Sequence, residues 1–165
     1  MMRYGFQFCK GGVFLNPESN KYDSYKHICI EEDEIYDNAI SEFGFSNGVM
    51  MIIWTLCEFK RPCTQKEICD FWHESKQTIN SAVKKLLEEG IIDIAVSPEN
   101  QREKLITFTE KGKFLAMRTV EKMMDAEKNA FGRLSEEEQS EFIRINKKHN
   151  EFLKEEFVKI KGENK

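Results

Sequence analysis

The sequence predicts a mainly α-helical fold with one small β-hairpin, an α+β class, and three features carry that expectation. Apolar residues recur at three- and four-residue spacing through most of the chain, as one face of a helix requires. Two capping signatures, "TQKE" at Thr64–Glu67 and "SEEE" at Ser135–Glu138, mark helix starts. One stretch, Ile92–Val96, alternates instead with the period of a strand. The 165 residues are 40% hydrophobic, enough for one ordinary core and too apolar for a disordered chain.

The elements follow in order. Residues 1–23 form an N-terminal arm of unassigned role, where Tyr4, Phe6 and Phe8 alternate ahead of Gly11-Gly12 and Asn16-Pro17, a pattern that suits a short strand and turn. From Ser24 to Phe43 an amphipathic helix carries Tyr25, Ile28, Cys29, Tyr36, Ala39, Ile40 and Phe43 on its packed side, with the acidic run Glu31–Glu34 toward solvent. Gly44 ends it, and Ser46 caps a second helix. That helix contains "VMMIIWTLC", Val49–Cys57, which is far short of the roughly 20 residues needed to span a bilayer and reads as buried core.

Thr64 and Glu67 then cap a short helix with Ile68, Phe71 and Trp72 turned inward, and "HES" makes the turn. Ser75 caps the next helix, "SKQTINSAVKKLLEEG", whose Ile79, Ala82, Val83, Leu86 and Leu87 pack inward. Lys76, Gln77, Asn80, Ser81, Lys84 and Lys85 are left facing out, and Gly90 supplies the stop. Ile92, Ile94 and Val96 make a half-buried strand, "SPENQREK" an exposed turn, and "LITF" the returning strand. Thr109 caps a long helix to about Phe131, and Ser135 caps the last, which reaches about Ile160. Its Phe142, Ile145, His149, Phe152, Leu153 and Val158 lie near one stripe. Helices this long expose too much apolar surface alone, so they are expected to pack, with the helix at 24–43, on their counterparts in a second subunit.

Composition removes several function classes. The start "MMRYGFQFCKGGVFLN" lacks an unbroken apolar region and a small-residue cleavage site, so it does not read as a signal peptide, and a cytoplasmic protein without a membrane partner is expected. Five cysteines, at 9, 29, 57, 63 and 69, form no CxxC pair, and His27, His73 and His149 stand at no ligand spacing from them, so neither a metal nor a cofactor is expected. No nucleophile and base pair or glycine-rich phosphate loop stands at mechanistic spacing, which argues against an enzyme. Charge is less decisive. The net charge is −4, but the acidity sits in residues 1–59, with 4 basic and 9 acidic side chains, while residues 60–113 hold 10 and 9. A nucleic-acid reading must therefore rest on pattern.

Short capped helix, turn, longer helix with a polar front, hairpin with a charged tip: that order is a winged helix-turn-helix. With "TQKEI", "SKQTINSAVKKLLEEGII" and "ITFTEKG" in this order and spacing, residues 64–112 resemble the core of the MarR family of bacterial transcriptional regulators. The resemblance implies one domain over residues 24–161, with a winged helix-turn-helix core at 46–112 and dimerisation helices at 24–43, 109–131 and 135–160. It implies a homodimeric regulator, a repressor in most such proteins, on a near-palindromic operator in double-stranded DNA, with one recognition helix per subunit in the major groove. On that reading Ser75, Lys76 and Thr78 meet phosphate at the helix start, while Gln77, Asn80 and Ser81 reach base edges. Lys84 and Lys85 reach the DNA backbone further on, and Thr64 and Gln65 set register. Arg102 and Lys104 match the basic wing-tip side chains that enter the minor groove, although Asn100 and Gln101 replace the usual acidic and basic pair before them.

The resemblance also implies a small aromatic or anionic effector. Tyr25, Tyr36, Met50, Met51, Trp54 and Met117 are the side chains a pocket would draw on, but their helical spacing suits core packing equally, and no ligand residue is assigned. Two other readings stay open: a winged helix kept as a protein-interaction or dimerisation module, and a redox-sensing regulator with Cys29 as its thiol.

Overall fold

The computed structural model describes residues 20–163, with side chains as far as Ile160, so the strand and turn expected near the N-terminus lie outside the described residues. Two compact units divide the chain after Lys122. The first contains α1 (Lys21–Glu42), α2 (Asn47–Phe59), β1 (Cys63–Thr64), α3 (Gln65–Trp72), α4 (Lys76–Glu88), β2 (Ile92–Val96), β3 (Lys104–Phe108), α5 (Glu110–Arg118) and the start of α6 (Val120–Phe131). The second holds the rest of α6 and α7 (Glu136–Glu163).

Local capping chemistry sets most boundaries. The Ser46 side chain accepts from the Val49 amide, and both halves of the Thr64–Glu67 box are made: Glu67 N donates to Thr64 Oγ1 at 3.1 Å, and Thr64 N to Glu67 Oε2 at 2.7 Å. The Ser135–Glu138 box is made in the same way. Gly44 and Gly90 take left-handed φ values of +69° and +64°, which end α1 and α4 at little steric cost. Helix α1 begins at Lys21 rather than Ser24, because Asn20 Oδ1 accepts from the amides of Tyr22 and Asp23 and so caps a longer helix.

The core of the first unit forms around α2, whose residues Gly48–Leu56 are all buried. Ile68 of α3, Ile79 and Leu86 of α4, and Ile92 and Ile106 of the sheet close around it with 2% exposure or less. Helix α2 meets α4 at Gly48, where a Cβ would lie 3.2 Å from that of Ala82. Thr55 is buried and Trp72 half-buried, and their polar atoms are paired: Trp72 Nε1 donates to Thr55 Oγ1 at 2.8 Å, and Thr55 donates to the Met51 carbonyl at 2.7 Å.

Several inward assignments fail for identifiable reasons. Ile28 of α1 is 63% exposed, because Cys29 and Ile40 take the buried line and leave Ile28 and Ile35 on the adjoining face. Phe71, expected inward, is exposed and stacks edge-on against Phe59 at 5.3 Å. Leu87 sits at the rim of α4's packed stripe and is also exposed. In β2, exposure climbs from 1% at Ile92 to 37% at Ile94 and 57% at Val96, because the hairpin leaves the core as it runs to its tip. The long helix expected from Thr109 to Phe131 is broken at Thr119. There φ is −126° and ψ −88°, and the Thr hydroxyl bonds back to the Leu115 carbonyl at 2.7 Å.

Strand β1, two residues long, was not anticipated, since no periodicity can announce so short a piece. The sheet order is β1-β3-β2, antiparallel throughout, with Cys63 opposite Ile106 and Thr64 opposite Leu105. The start of α3 is thereby tied to the wing. In the second unit, α7 runs three residues beyond Ile160, and Phe131 and Phe142 stack edge-on at 6.2 Å. Its Phe142, Ile145, Phe152, Phe157 and Val158 are all more than half exposed.

Candidate nucleic-acid interface

Helix α4 divides its side chains sharply. Ile79, Ala82, Val83 and Leu86 are buried, whereas Lys76, Gln77, Thr78, Asn80, Ser81, Lys84 and Lys85 are exposed. Gln77, Asn80 and Lys84 stand at i, i+3 and i+7, so they form one outward row, and Ser81 and Lys85 continue the adjoining row from Gln77. Between this row and the start of α3 lies an open cleft of about 530 Å³ lined by Gln65, Lys66, Cys69, Lys76, Gln77 and Asn80. The cleft brings together Gln65, Lys76, Gln77 and Asn80 from the sequence reading. Lys66 and Cys69 were not singled out. Lys66 carried a legible signal, since it is a cation one residue after Gln65, but nothing local marks Cys69.

Not all the polar atoms of the front are free to meet a partner. Ser75 Oγ accepts from the Thr78 amide at 3.1 Å and lies 2.9 Å from Thr78 Oγ1. The Glu74 carboxylate accepts from the Ser75 amide at 2.6 Å and from the Thr78 hydroxyl at 3.3 Å. Ser81 donates to the Gln77 carbonyl. Lys85 stands 3.9 Å from Glu89, a loose exposed pair of small energetic consequence. Thr64 is committed to its capping box, and Gln65 is half-buried beside it. The Arg61 guanidinium, 2.7 Å from Glu67, outweighs partial burial and, with the Thr64 amide, holds that carboxyl below its ordinary range. The box therefore remains charged.

The wing supplies a second cationic point. Its strands pair from Ile92–Phe108 to Val96–Lys104, leaving 97–103 as the tip. Asn100 organises that tip: its side chain accepts from Arg102 N at 3.1 Å and its carbonyl from Glu103 N at 2.9 Å. Arg102 and Lys104 are exposed.

The side chains named for a pocket are distributed by burial: Met50, Met51 and Trp54 are core, Tyr25 and Tyr36 half-buried, and Met117 exposed. Among the cysteines, burial first and then Glu121 and Glu58 push the Cys57 thiol up to about 12, and burial with Glu67 raises Cys63 to about 11. Both are thus held as thiols, the unreactive form. Cys29 is 6% exposed. Among the described residues no group of three or more His, Cys, Asp or Glu is placed to hold a metal ion, and no single helix is long and apolar enough to cross a membrane.

Residues 43–103, from the end of α1 to the wing tip, match the model of the MarR family. Over these residues the chain is similar to the winged helix of that family. The fold is similar to that of a MarR family regulator from Neisseria meningitidis, 21% identical, with a TM-score of 0.70 over 89% of this chain and 100% of that one. It is similar also to the S. aureus MepR–DNA complex, 19% identical over 84% and 99% of the two chains at a TM-score of 0.66. The transcriptional regulator SlyA is 25% identical over 85% and 99%, with a TM-score of 0.61. Comparison with curated protein sequences gives no match. In this winged-helix arrangement α4 is the second helix of the helix-turn-helix and the β2–β3 hairpin the wing.

Proposed function

We propose that the protein is a DNA-binding transcriptional regulator that acts as a homodimer on a near-palindromic operator, with repression as its mode. One observation carries the reading: α4 keeps a continuous polar row, Gln77, Asn80 and Lys84, on the face opposite a fully packed stripe, so the helix is held rigidly while its front is unburdened. Asn and Gln amides suit base edges, and lysines suit phosphate. The MepR relative captured with DNA supports the same use of the fold. Residues 24–161 then act as one functional body, with the exposed apolar stripe of α7 and the Ile28–Ile35 face of α1 as the surfaces that a second copy covers.

An effector fits the reading through a cleft of about 430 Å³ lined by Phe43, Ile91, Phe114, Leu115 and Thr119, with Lys111 and Arg118 at its edge. Its apolar wall and two cations suit a small aromatic acid.

Salt titration tests the DNA reading. Against a duplex selected from a random pool, the logarithm of affinity should fall linearly with that of salt concentration, by about 0.9 for each phosphate neutralised. Duplex selection that yields no salt-dependent binder would favour the interaction module, which the near balance of charge over residues 60–113 also fits. Dimerisation has its own test. Phe152→Asp should convert a dimer to monomer in sedimentation at micromolar concentration, since it puts a charge in the proposed seam, and an unchanged mass would remove α7 from the interface.

A further inference from the structure

The Glu74 carboxylate sits at the N-terminal start of α4. The first turn of α4 gathers partial positive charge, and an anion at its start is favoured. Here that anion belongs to the chain itself: Glu74 Oε1 accepts from Ser75 N at 2.6 Å and from Thr78 Oγ1 at 3.3 Å, and Thr78 Oγ1 lies 2.9 Å from Ser75 Oγ. One hydroxyl that the sequence assigns to phosphate, that of Thr78, is therefore engaged by an internal carboxylate, and the Ser75 hydroxyl is linked to it through Thr78. Glu74 is itself only half-buried, and its charge is felt at Cys69 in the lining of the cleft that Lys66 and Lys76 make cationic, so a docked DNA strand would meet it.

We propose that Glu74 is a specificity-determining residue that raises sequence discrimination by weakening attachment to the DNA backbone alone. The inference rests on the DNA reading above. Non-specific binding is nearly all phosphate electrostatics, so a fixed negative charge beside the strand acts on it in full. Binding to the correct site also draws on Gln77 and Asn80 at base edges, which the carboxylate does not oppose. A residue that is unfavourable toward both sites, but more so toward the wrong one, increases the ratio between them.

Glu74→Gln tests this, because the amide keeps an oxygen for the Ser75 N–H and loses the charge. The probes are the duplex selected by the unsubstituted protein and a scrambled duplex of equal length, at 0.15 M salt. The variant is expected to bind the scrambled duplex roughly three- to tenfold tighter, with a smaller gain on the selected one, and to keep the melting temperature of the parent. Unchanged or weaker binding to the scrambled duplex would overturn the proposal and leave Glu74 a helix cap. A loss confined to the selected duplex would overturn it too, since Glu74 would then be reading a base. If the parent protein binds neither duplex, the DNA reading itself falls and this inference with it.

Discussion

Replacing Gly112 by alanine is expected to destabilise the first unit by about 3 kcal/mol or more, against the usual direction of that exchange inside a helix. A Cβ at this position would fall directly on the carbonyl oxygen of Ile91 and 3.0 Å from both the Ile91 carbonyl carbon and Phe108 Cδ1. Neither backbone can give way cheaply. Thr109 N donates to Ile91 O at 3.1 Å, and the Thr109 hydroxyl donates to Gly90 O at 2.8 Å while accepting from Gly112 N. Lys111 Nζ closes on Glu89 O at 2.7 Å. The first turn of α5 is thus bolted to the end of α4 and the start of β2, and moving it by a methyl radius breaks several of these bonds together. Urea unfolding reads the effect as a lower midpoint with an unchanged slope. Gly90→Ala is the contrast. Its φ of +64° is unfavourable to alanine but nothing lies within 4 Å of the added carbon, so a cost of only about 1 kcal/mol is expected. Equal midpoints for Gly112→Ala and the parent would mean that α5 can shift freely on the sheet.

This contrast also marks how far the sequence can be read. Signals contained within four residues were legible: Ser46, Thr64, Ser75 and Ser135 cap where their side chains suggest, because the donor and acceptor are near neighbours on the chain. Signals that depend on distant packing were not. Alternation at Ile92, Ile94 and Val96 correctly gives a strand, but how deep each residue sits depends on where the hairpin leaves the core. Phe71 looks like core by type and spacing, yet the neighbouring Phe59 meets it at the surface. The break at Thr119 has no Pro or Gly to announce it. At the candidate site, the row Gln77–Asn80–Lys84 was legible from helical periodicity, whereas the engagement of Ser75 and Thr78 by Glu74 depends on a side-chain rotamer that no pattern encodes.

The exposed row leads to the second large effect. Asn80→Ala combined with Lys84→Ala is expected to weaken binding to the selected duplex at least about a hundredfold per dimer. A bidentate Asn contact contributes about 1 to 3 kcal/mol of discrimination, and loss of one phosphate cation in each half-site lowers affinity further. The fold should be untouched, because both side chains are exposed and, among the described residues, no hydrogen bond or ion pair of either side chain supports a neighbour. Alanine is also the better helix former at both positions, so the melting temperature should hold or rise slightly. The two losses have different signatures. Removing Lys84 should reduce the salt slope by about 0.9 per half-site and weaken all duplexes alike, whereas removing Asn80 should leave the slope and relax discrimination at one base pair. The residues are one turn apart on the same row, so the double variant need not equal the sum of the singles. Fluorescence anisotropy with the selected and scrambled duplexes separates these contributions. Undiminished binding by the folded, dimeric double variant would remove α4 as the reading element and turn attention to the wing, where Arg102 and Lys104 offer the next exposed cations.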